Sequence, residues 1–298
     1  MSRISLVTVT YNGASVWPEF LSSLMAQAEQ DWHLIVIDNA SSDNTVALVR
    51  AVDDPRITLV ANDRNVGVAA ANNQGIEIAR ARGETMIVLI NNDTAFGPEL
   101  LERLIAAAQA SDAGAVSALI PYYDRPDLCW YGGGHFSRWR GMLSLHDGQN
   151  KPLASDTCAF KTDYAPTCCV LFKTEVFDAI GLMDEAYFVY WDDVDFLWRM
   201  KRNGIAIVVD PASVMLHKVS ISTGGRLSDF SIRYGHRNQI YFARKFFGVP
   251  YAAYVSVFAS IVGVARMILA GDTAHHLRVR LAAIREGWRM PLPAGTPR

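Results

Sequence analysis

Cysteine is scarce: the chain has four in 298 residues, and two of them, Cys168 and Cys169, are adjacent. Four are too few for a disulfide scaffold and neighbours are badly placed to bridge, so a reducing compartment is expected. No Gly-x-Gly-x-x-Gly follows the first apolar run, which disfavours a dinucleotide site, and no Walker A sequence occurs. No Gly-x-Ser-x-Gly is present, and no cysteine has a catalytic context. His135, His146, His236, His275 and His276 lack the spacing of metal ligands. Internal repeats and low-complexity tracts are missing. No basic leader with a cleavage site precedes Ile4, so no secretory signal is expected.

What is present is an apolar chain with an uneven charge. Half of its residues are hydrophobic, enough for a substantial core. The net charge of −2 hides 11 Lys and Arg against 3 Asp and Glu in 226–298, and 17 against 27 in 1–225. A basic tail on an acidic body points to an anionic surface, either membrane or nucleic acid. The tail contains aromatics but no recognised nucleic-acid module, so no nucleic-acid partner is expected. Phe246–Ala265 holds no charge. Gly248 and Pro250 interrupt it, and the helix left from Tyr251 to Arg266 is short for a span of about 20 residues. A helix lying on the bilayer or packed on the body is the favoured reading, and peripheral membrane contact through 226–298 follows from it.

The first 120 residues alternate strand and helix signals. Strands are expected at Ile4–Thr10, Leu34–Ile37, Ile57–Val60, Thr85–Ile90 and Ala115–Ile120. Helices are expected at Val16–Met25, from about Asn44 with Ser42 or Asp43 as N-cap, at Val68–Arg82, and from Pro98 to about Ala110. This order predicts an α/β fold with a mostly parallel sheet and flanking helices. Residues 121–165 read as a hairpin and loops. Val170–Phe172 reads as a strand, Thr174 to Gly181 as a short helix and Asp192–Asn203 as a helix with Gly204 at C′. Ile205–Val209 and Val214–Leu216 read as two strands. Residues 226–298 form a helical basic extension to a body of 1–225, itself divided at 120/121.

Ligands of open α/β sheets bind beyond the carboxyl ends of the strands. Thr10-Tyr11-Asn12, Asp38-Asn39, Asn65-Val66-Gly67 and Asn92-Asp93 all fall there. The order suits a nucleotide lying across that edge. Tyr11 could pack on base or ribose, Asp38 accept from a base imide, Asn65 and the Gly67 backbone contact ribose or phosphate, and Asp93 meet a metal on a diphosphate. His217, closing an apolar strand, could join Asp93 in an O/N site suited to Mg²⁺ or Mn²⁺. Trp191-Asp192-Asp193-Val194-Asp195 places three carboxylates at a helix start. Their repulsion can raise one toward the range of a general base, against the pull of the helix dipole. Each cluster alone could equally be a turn or a cap.

Taken together in this order, Val9-Thr10-Tyr11-Asn12, Val36-Ile37-Asp38-Asn39-Ala40-Ser41-Ser42-Asp43, Asn65-Val66-Gly67 with Asn72-Asn73-Gln74-Gly75, and Leu89-Ile90-Asn91-Asn92-Asp93-Thr94 resemble family 2 glycosyltransferases of the GT-A fold. Gly181-Leu182-Met183-Asp184-Glu185, Tyr190-Trp191-Asp192-Asp193-Val194-Asp195 with Arg199, His217 and Arg237-Asn238 extend the likeness, which is strongest to the rhamnosyltransferase-like branch. It covers most of residues 1–245. The resemblance implies inverting transfer of rhamnose or another hexose from a nucleoside-diphosphate sugar, dTDP- or UDP-linked, to a hydroxyl of a glycan or lipid-linked acceptor in cell-surface polysaccharide synthesis. It implies a cytoplasmic protein, peripheral at the inner face of the membrane. Asp193 resembles the family's catalytic base. Asp38 resembles its base-binding aspartate, Asp93 the last residue of its Asp-x-Asp metal motif, and His217 its second metal-side ligand. Thr10, Tyr11, Asn12, Asn65, Gly67, Asn72 and Asn92 join Asp38 and Asp93 on the donor side, and Trp191 and Asp192 fall on the acceptor side. Asn91-Asn92-Asp93 has one acid where many members have two or three, Asp192 replaces a more usual Glu, and Ala71 stands where some carry Arg. The alternatives are a nucleotidyltransferase, which would need a basic Gly-rich loop near Asn12–Ser15, and a catalytically silent nucleotide-sugar binding scaffold.

Overall fold

A computed structural model describes residues 4–153, 158–218 and 228–294. The first half alternates as its pattern dictates: β1 (Ile4–Thr10), α1 (Trp17–Met25), β2 (Trp32–Asp38), α2 (Thr45–Arg50), β3 (Ile57–Ala61), α3 (Val68–Ala81), β4 (Met86–Ile90), β5 (Thr94–Phe96), α4 (Leu100–Gln109) and β6 (Ala115–Pro121). There follow β7 (Cys129–Tyr131), β8 (Gly134–Ser137), β9 (Leu143–His146), β10 (Phe160–Thr162), β11 (Cys169–Lys173), α5 (Glu175–Ile180), α6 (Asp192–Arg202) and β12 (Ile207–His217). The chain closes with α7 (Asp229–Leu269) and α8 (Ala274–Arg289).

The main sheet runs β10-β12-β6-β11-β4-β1-β2-β3. The block β4-β1-β2-β3 is parallel, as the strand–helix alternation requires, and β12 pairs parallel with β6. β11 runs antiparallel between β4 and β6, so the sheet is mixed about a mostly parallel frame. All five residues of β4 are buried, as a continuous apolar run in such a block demands. The parallel register places Thr10 opposite Asp38 at the carboxyl ends of β1 and β2.

Two local expectations are corrected, and one strand had no counterpart among them. The N-cap of α2 is Asn44, and neither Ser42 nor Asp43 caps it. Asp43 instead accepts the Thr45 and Ala14 N–H groups at 3.0 and 3.1 Å, tying the turn after β2 to the turn after β1. The two strands expected near 205–216 are one strand, β12, with an irregularity between Asp210 and Val214. Ser213 donates to Asp210 there at 2.6 Å, so the chain bends without leaving the sheet. β5 escaped the sequence pattern because three residues carry no period; it pairs antiparallel with the far end of β12.

Two compact units divide the chain: Met1–His135, His146–Phe188 and Asp192–Ser222 form one, and Phe136–Leu145, Val189–Trp191 and Thr223–Arg298 the other. The boundary expected at 225/226 lies outside the described residues. Within the second unit α7 and α8 share a core of Ile240, Ala243, Ala252, Val255, Ala259 and Ile284. Gly248, at φ +77°, kinks α7 where the sequence places Gly248 and Pro250.

Candidate active site

The first unit gathers its polar strand ends at one rim. Asp38, 1 % exposed, accepts the Ser41 N–H at 2.9 Å and the Ser41 hydroxyl at 2.5 Å. Ser41 Oγ in turn accepts the Asn12 N–H at 2.8 Å, and Asn12 Oδ1 accepts the Ser42 N–H at 2.8 Å. These bonds lace the two turns together and hold Asn12 at φ +52°, a conformation asparagine tolerates. Each Asp38 oxygen keeps a further lone pair. Tyr11 is half exposed beside this turn.

Gly13 explains how the turn reaches the next strand end. A Cβ there would lie 2.6 Å from Thr10 Oγ1 and 2.7 Å from Asn92 Nδ2, so only glycine fits. Gly13 therefore abuts both Thr10 and Asn92, which joins the Asp38 side of the rim to Asn92-Asp93.

Asp93 and His217 meet because β5 and β12 pair. His217 stands opposite Thr94, and the Lys218 N–H donates to the Asp93 carbonyl at 3.0 Å. The side chains follow: Asp93 Oδ1 and His217 Nε2 are 3.3 Å apart, and both residues are buried. Thr10 Oγ1, Asn92 Nδ2, Asp93 Oδ1 and His217 Nδ1 are buried and have no hydrogen-bond partner. Buried polar atoms rarely go unsatisfied, so four together mark a place that a polar ligand completes. A buried carboxylate oxygen beside an imidazole fits a divalent ion. Among the described residues no group of three or more His, Cys, Asp or Glu could hold one, so the remaining ligands would be phosphate oxygens and water.

The helix α6 sorts its three acids. Asp195 is fully buried; it accepts from Tyr187 Oη at 2.9 Å and from Arg199 Nε at 2.8 Å. Arg199 also donates to the Ile180 and Leu182 carbonyls at 2.5 and 2.7 Å, so this pair fastens the segment before α6. Asp193 is half-buried and accepts the Tyr164 hydroxyl at 2.6 Å. Asp192 is buried, 4 % exposed. Burial, then the charge on Asp193, pushes Asp192 up to about 8. Burial raises Asp193 as well, while the Tyr164 hydrogen bond pulls it back down. Of the two neighbours Asp193, with a hydroxyl supporting its charged form, is the better seat for a negative charge.

Side chains connect Asp193 to the Asp93–His217 pair. Tyr164 stacks on His146 at 5.9 Å, His146 meets Trp130 edge-on at 4.7 Å, and Trp130 meets His217 at 4.7 Å. His146 Nδ1 lies 3.0 Å from the Trp130 carbonyl, and burial holds its pKa down, so the ring is neutral. Cys168 is buried within the fields of both Asp93 and Asp193; burial first and those charges after push its thiol well up, leaving it inert. Tyr164, Trp130 and His146 were not singled out as site residues from the sequence. They come from 121–165, which has no sustained period.

The other site residues named from the sequence lie along α3 and the segment before α6, and the Gly67 carbonyl accepts the Asn39 amide at 3.1 Å, next to Asp38. Gly67, at φ +89°, abuts Phe188: a Cβ would lie 2.6 Å from the Phe188 carbonyl oxygen, to which Val68 N–H donates at 2.5 Å. Asn65 is exposed and accepts the Gly67 N–H at 2.9 Å. Asn72 is buried with its amide on Met183 Sδ at 3.8 Å, and Asn73 binds the Met183 N–H and carbonyl, each at 2.9 Å. That pair secures the Met183–Glu185 turn. Trp191, in the second unit, is buried with its ring 5.3 Å from Phe242. Backbone at Phe188, Tyr190 and Trp191 is left-handed, at φ +67°, +61° and +70°, and such strain persists where function holds it.

Comparison with known proteins places this geometry. Residues 5–181 match the profile of "Glycosyl transferase family 2". The succinoglycan biosynthesis protein ExoO of Rhizobium meliloti is 37% identical over 110 residues, 37% of this chain and 31% of that protein, so the chain spans about a third of it. An N-acetylglucosaminyl-diphospho-decaprenol L-rhamnosyltransferase of Mycobacterium tuberculosis is 29% identical over 243 residues, covering 74% of this chain and 78% of that one. The crystal structure of GalNAc-T7 with UDP, GalNAc and Mn²⁺ superposes with a TM-score of 0.68 at 15% identity, over 95% of this chain and 54% of that one, a likeness of fold. With the profile covering more than half of its length and its mixed α/β sheet shared with a GT-A structure, the chain belongs to glycosyl transferase family 2.

Proposed function

We propose that this chain transfers rhamnose or another hexose, with inversion, from a dTDP- or UDP-sugar to a hydroxyl of a glycan or lipid-linked acceptor. The observation that carries the reading is the Asp193 carboxylate, supported by Tyr164 and joined through His146 and Trp130 to the Asp93–His217 pair. A single displacement requires a base and a diphosphate site within reach of one sugar. The N-acetylglucosaminyl-diphospho-decaprenol L-rhamnosyltransferase relative supports both the sugar and a lipid-linked acceptor.

In this reading Asp38 accepts from the nucleobase, Tyr11 lies along base or ribose, and Thr10, Asn12, Asn65, Gly67 and Asn72 shape the donor side. Asn92 Nδ2 and Thr10 Oγ1, both unpartnered and buried, donate to the donor's polar groups. Asp93 and His217 hold Mg²⁺ or Mn²⁺ when it is bound, and the ion supplies neutralisation of the departing diphosphate. Asp193 takes the proton from the acceptor hydroxyl as its oxygen bonds to the anomeric carbon and the bond to diphosphate breaks. Asp192, largely protonated at neutral pH, leaves that role to its neighbour. It stands on the acceptor side. A protein at the inner face of the membrane would meet both a soluble donor and a lipid-linked acceptor.

A thermal-shift and donor-hydrolysis screen of dTDP-, UDP- and GDP-sugars with Mn²⁺ or Mg²⁺ tests this. Stabilisation by one nucleotide sugar with slow release of its diphosphate is expected. Indifference to the whole panel would remove the donor site.

A further inference from the structure

The second unit carries an apolar face that its own core leaves uncovered. Along α7, Tyr254, Val257, Ile261, Val264 and Ile268 recur at alternating three- and four-residue steps and are 39%, 59%, 63%, 41% and 71% exposed. They lie opposite the row Ala252, Val255 and Ala259, which packs in the core shared with α8. A turn at Arg138–Arg140 is bolted beside this face. Tyr254 Oη donates to the Trp139 carbonyl at 2.7 Å and Tyr251 Oη to the Arg138 carbonyl at 2.5 Å. Gln239 Nε2 donates to the Arg140 carbonyl at 3.0 Å, and Gly141 turns the chain at φ +69°. The result is an indole 82% exposed, fixed between two exposed arginines at one end of an apolar strip.

We infer that this face, from Trp139 along α7 to Ile268, rests in the plane of a bilayer bearing anionic lipid. Aromatic rings with arginines beside them suit the headgroup level, where the ring is half-wet and the guanidinium meets phosphate. Arg138 and Arg140 supply the charge complementarity. A second copy is the poorer occupant. Positions flanking the strip are Phe258, Ser260, Ala265 and Met267, without the charges that set partner and register in a coiled coil. A spanning α7 fits poorly too, although the helix is long and apolar enough by composition. Its other face meets buried Arg280, which bonds His236 at 2.9 Å and Asp272 at 3.4 Å, while Arg266 pairs with Asp272 at 3.0 Å. The inference does not rest on the proposed sugar transfer.

Vesicle flotation of the full chain decides it, using phosphatidylcholine alone and phosphatidylcholine containing phosphatidylglycerol. Binding to the anionic vesicles and its release by high salt are expected. Arg138→Gln and Arg140→Gln should each weaken binding about fivefold. Ile261→Asp or Ile268→Asp should weaken it by about tenfold or more with an unchanged melting temperature, since both positions face solvent. Equal flotation of the Asp variants, or none by the wild type, would overturn the inference. So would retention in alkaline carbonate, which means spanning, or a concentration-dependent dimer that Ile261→Asp dissolves. Transfer to a soluble acceptor, measured in parallel, separates a failure here from a failure of the proposed function.

Discussion

Removing one hydroxyl tests how Asp193, the proposed base, is tuned. Tyr164 is buried, and its Oη donates to Asp193 at 2.6 Å. Tyr164→Phe keeps the ring and its stacking on His146 but removes that bond. A hydrogen bond to a charged group contributes about 1.5–3 kcal/mol. At about 1.36 kcal/mol per pH unit, its loss raises the Asp193 pKa by about one to two units. The sign follows from the bond favouring the ionised form. Because the base works ionised, the acid limb of the kcat profile should move to higher pH by that amount. The plateau above it should change by no more than about threefold, since the carboxylate itself stays. Initial rates of transfer from pH 5 to 9 are the assay, with donor affinity measured alongside. An acid limb that stays in place, or a plateau lost at every pH, would refute the assigned support of Asp193 by Tyr164.

Three further outcomes are expected. Asp192→Asn should keep activity within about tenfold and leave the acid limb in place, because the carboxyl it replaces is already protonated where Asp193 titrates; the same pH series checks it. Asp195→Asn leaves Arg199 without its buried partner and should lower stability by about 3–5 kcal/mol in a denaturant titration, with little change in chemistry per folded molecule. Asp93→Asn and His217→Ala should each weaken Mn²⁺ binding in the presence of donor by about tenfold or more, read by calorimetry, and excess chelator should stop transfer by the wild type. Full activity in chelator would mean that Asp93 and His217 serve another purpose.

The parallel frame was legible because Leu34–Ile37, Ile87–Ile90 and their like are apolar on both faces, and because turns rich in Asn, Asp and Gly stop them abruptly. That same punctuation exposed Asp38, Asn92 and Asp93. Topology, which the strand order implied, made them neighbours. What stayed hidden depends on pairing across long separations. β5 is three residues long, yet it is what carries His217 to Asp93. Tyr164 and Trp130 sit in a stretch without period, so no spacing could tie them to α6 or β12. The three acids of α6 were indistinguishable as letters. Their roles diverge only because Tyr187 and Arg199 claim Asp195, while Tyr164 reaches Asp193.

In the proposed transfer Asp193 takes the acceptor's proton. Asp193→Asn keeps the shape and removes the basicity, so donor affinity by calorimetry should stay within about twofold while transfer falls by about 10²–10⁴. Turnover at the wild-type rate, or donor binding and transfer lost together, would contradict it.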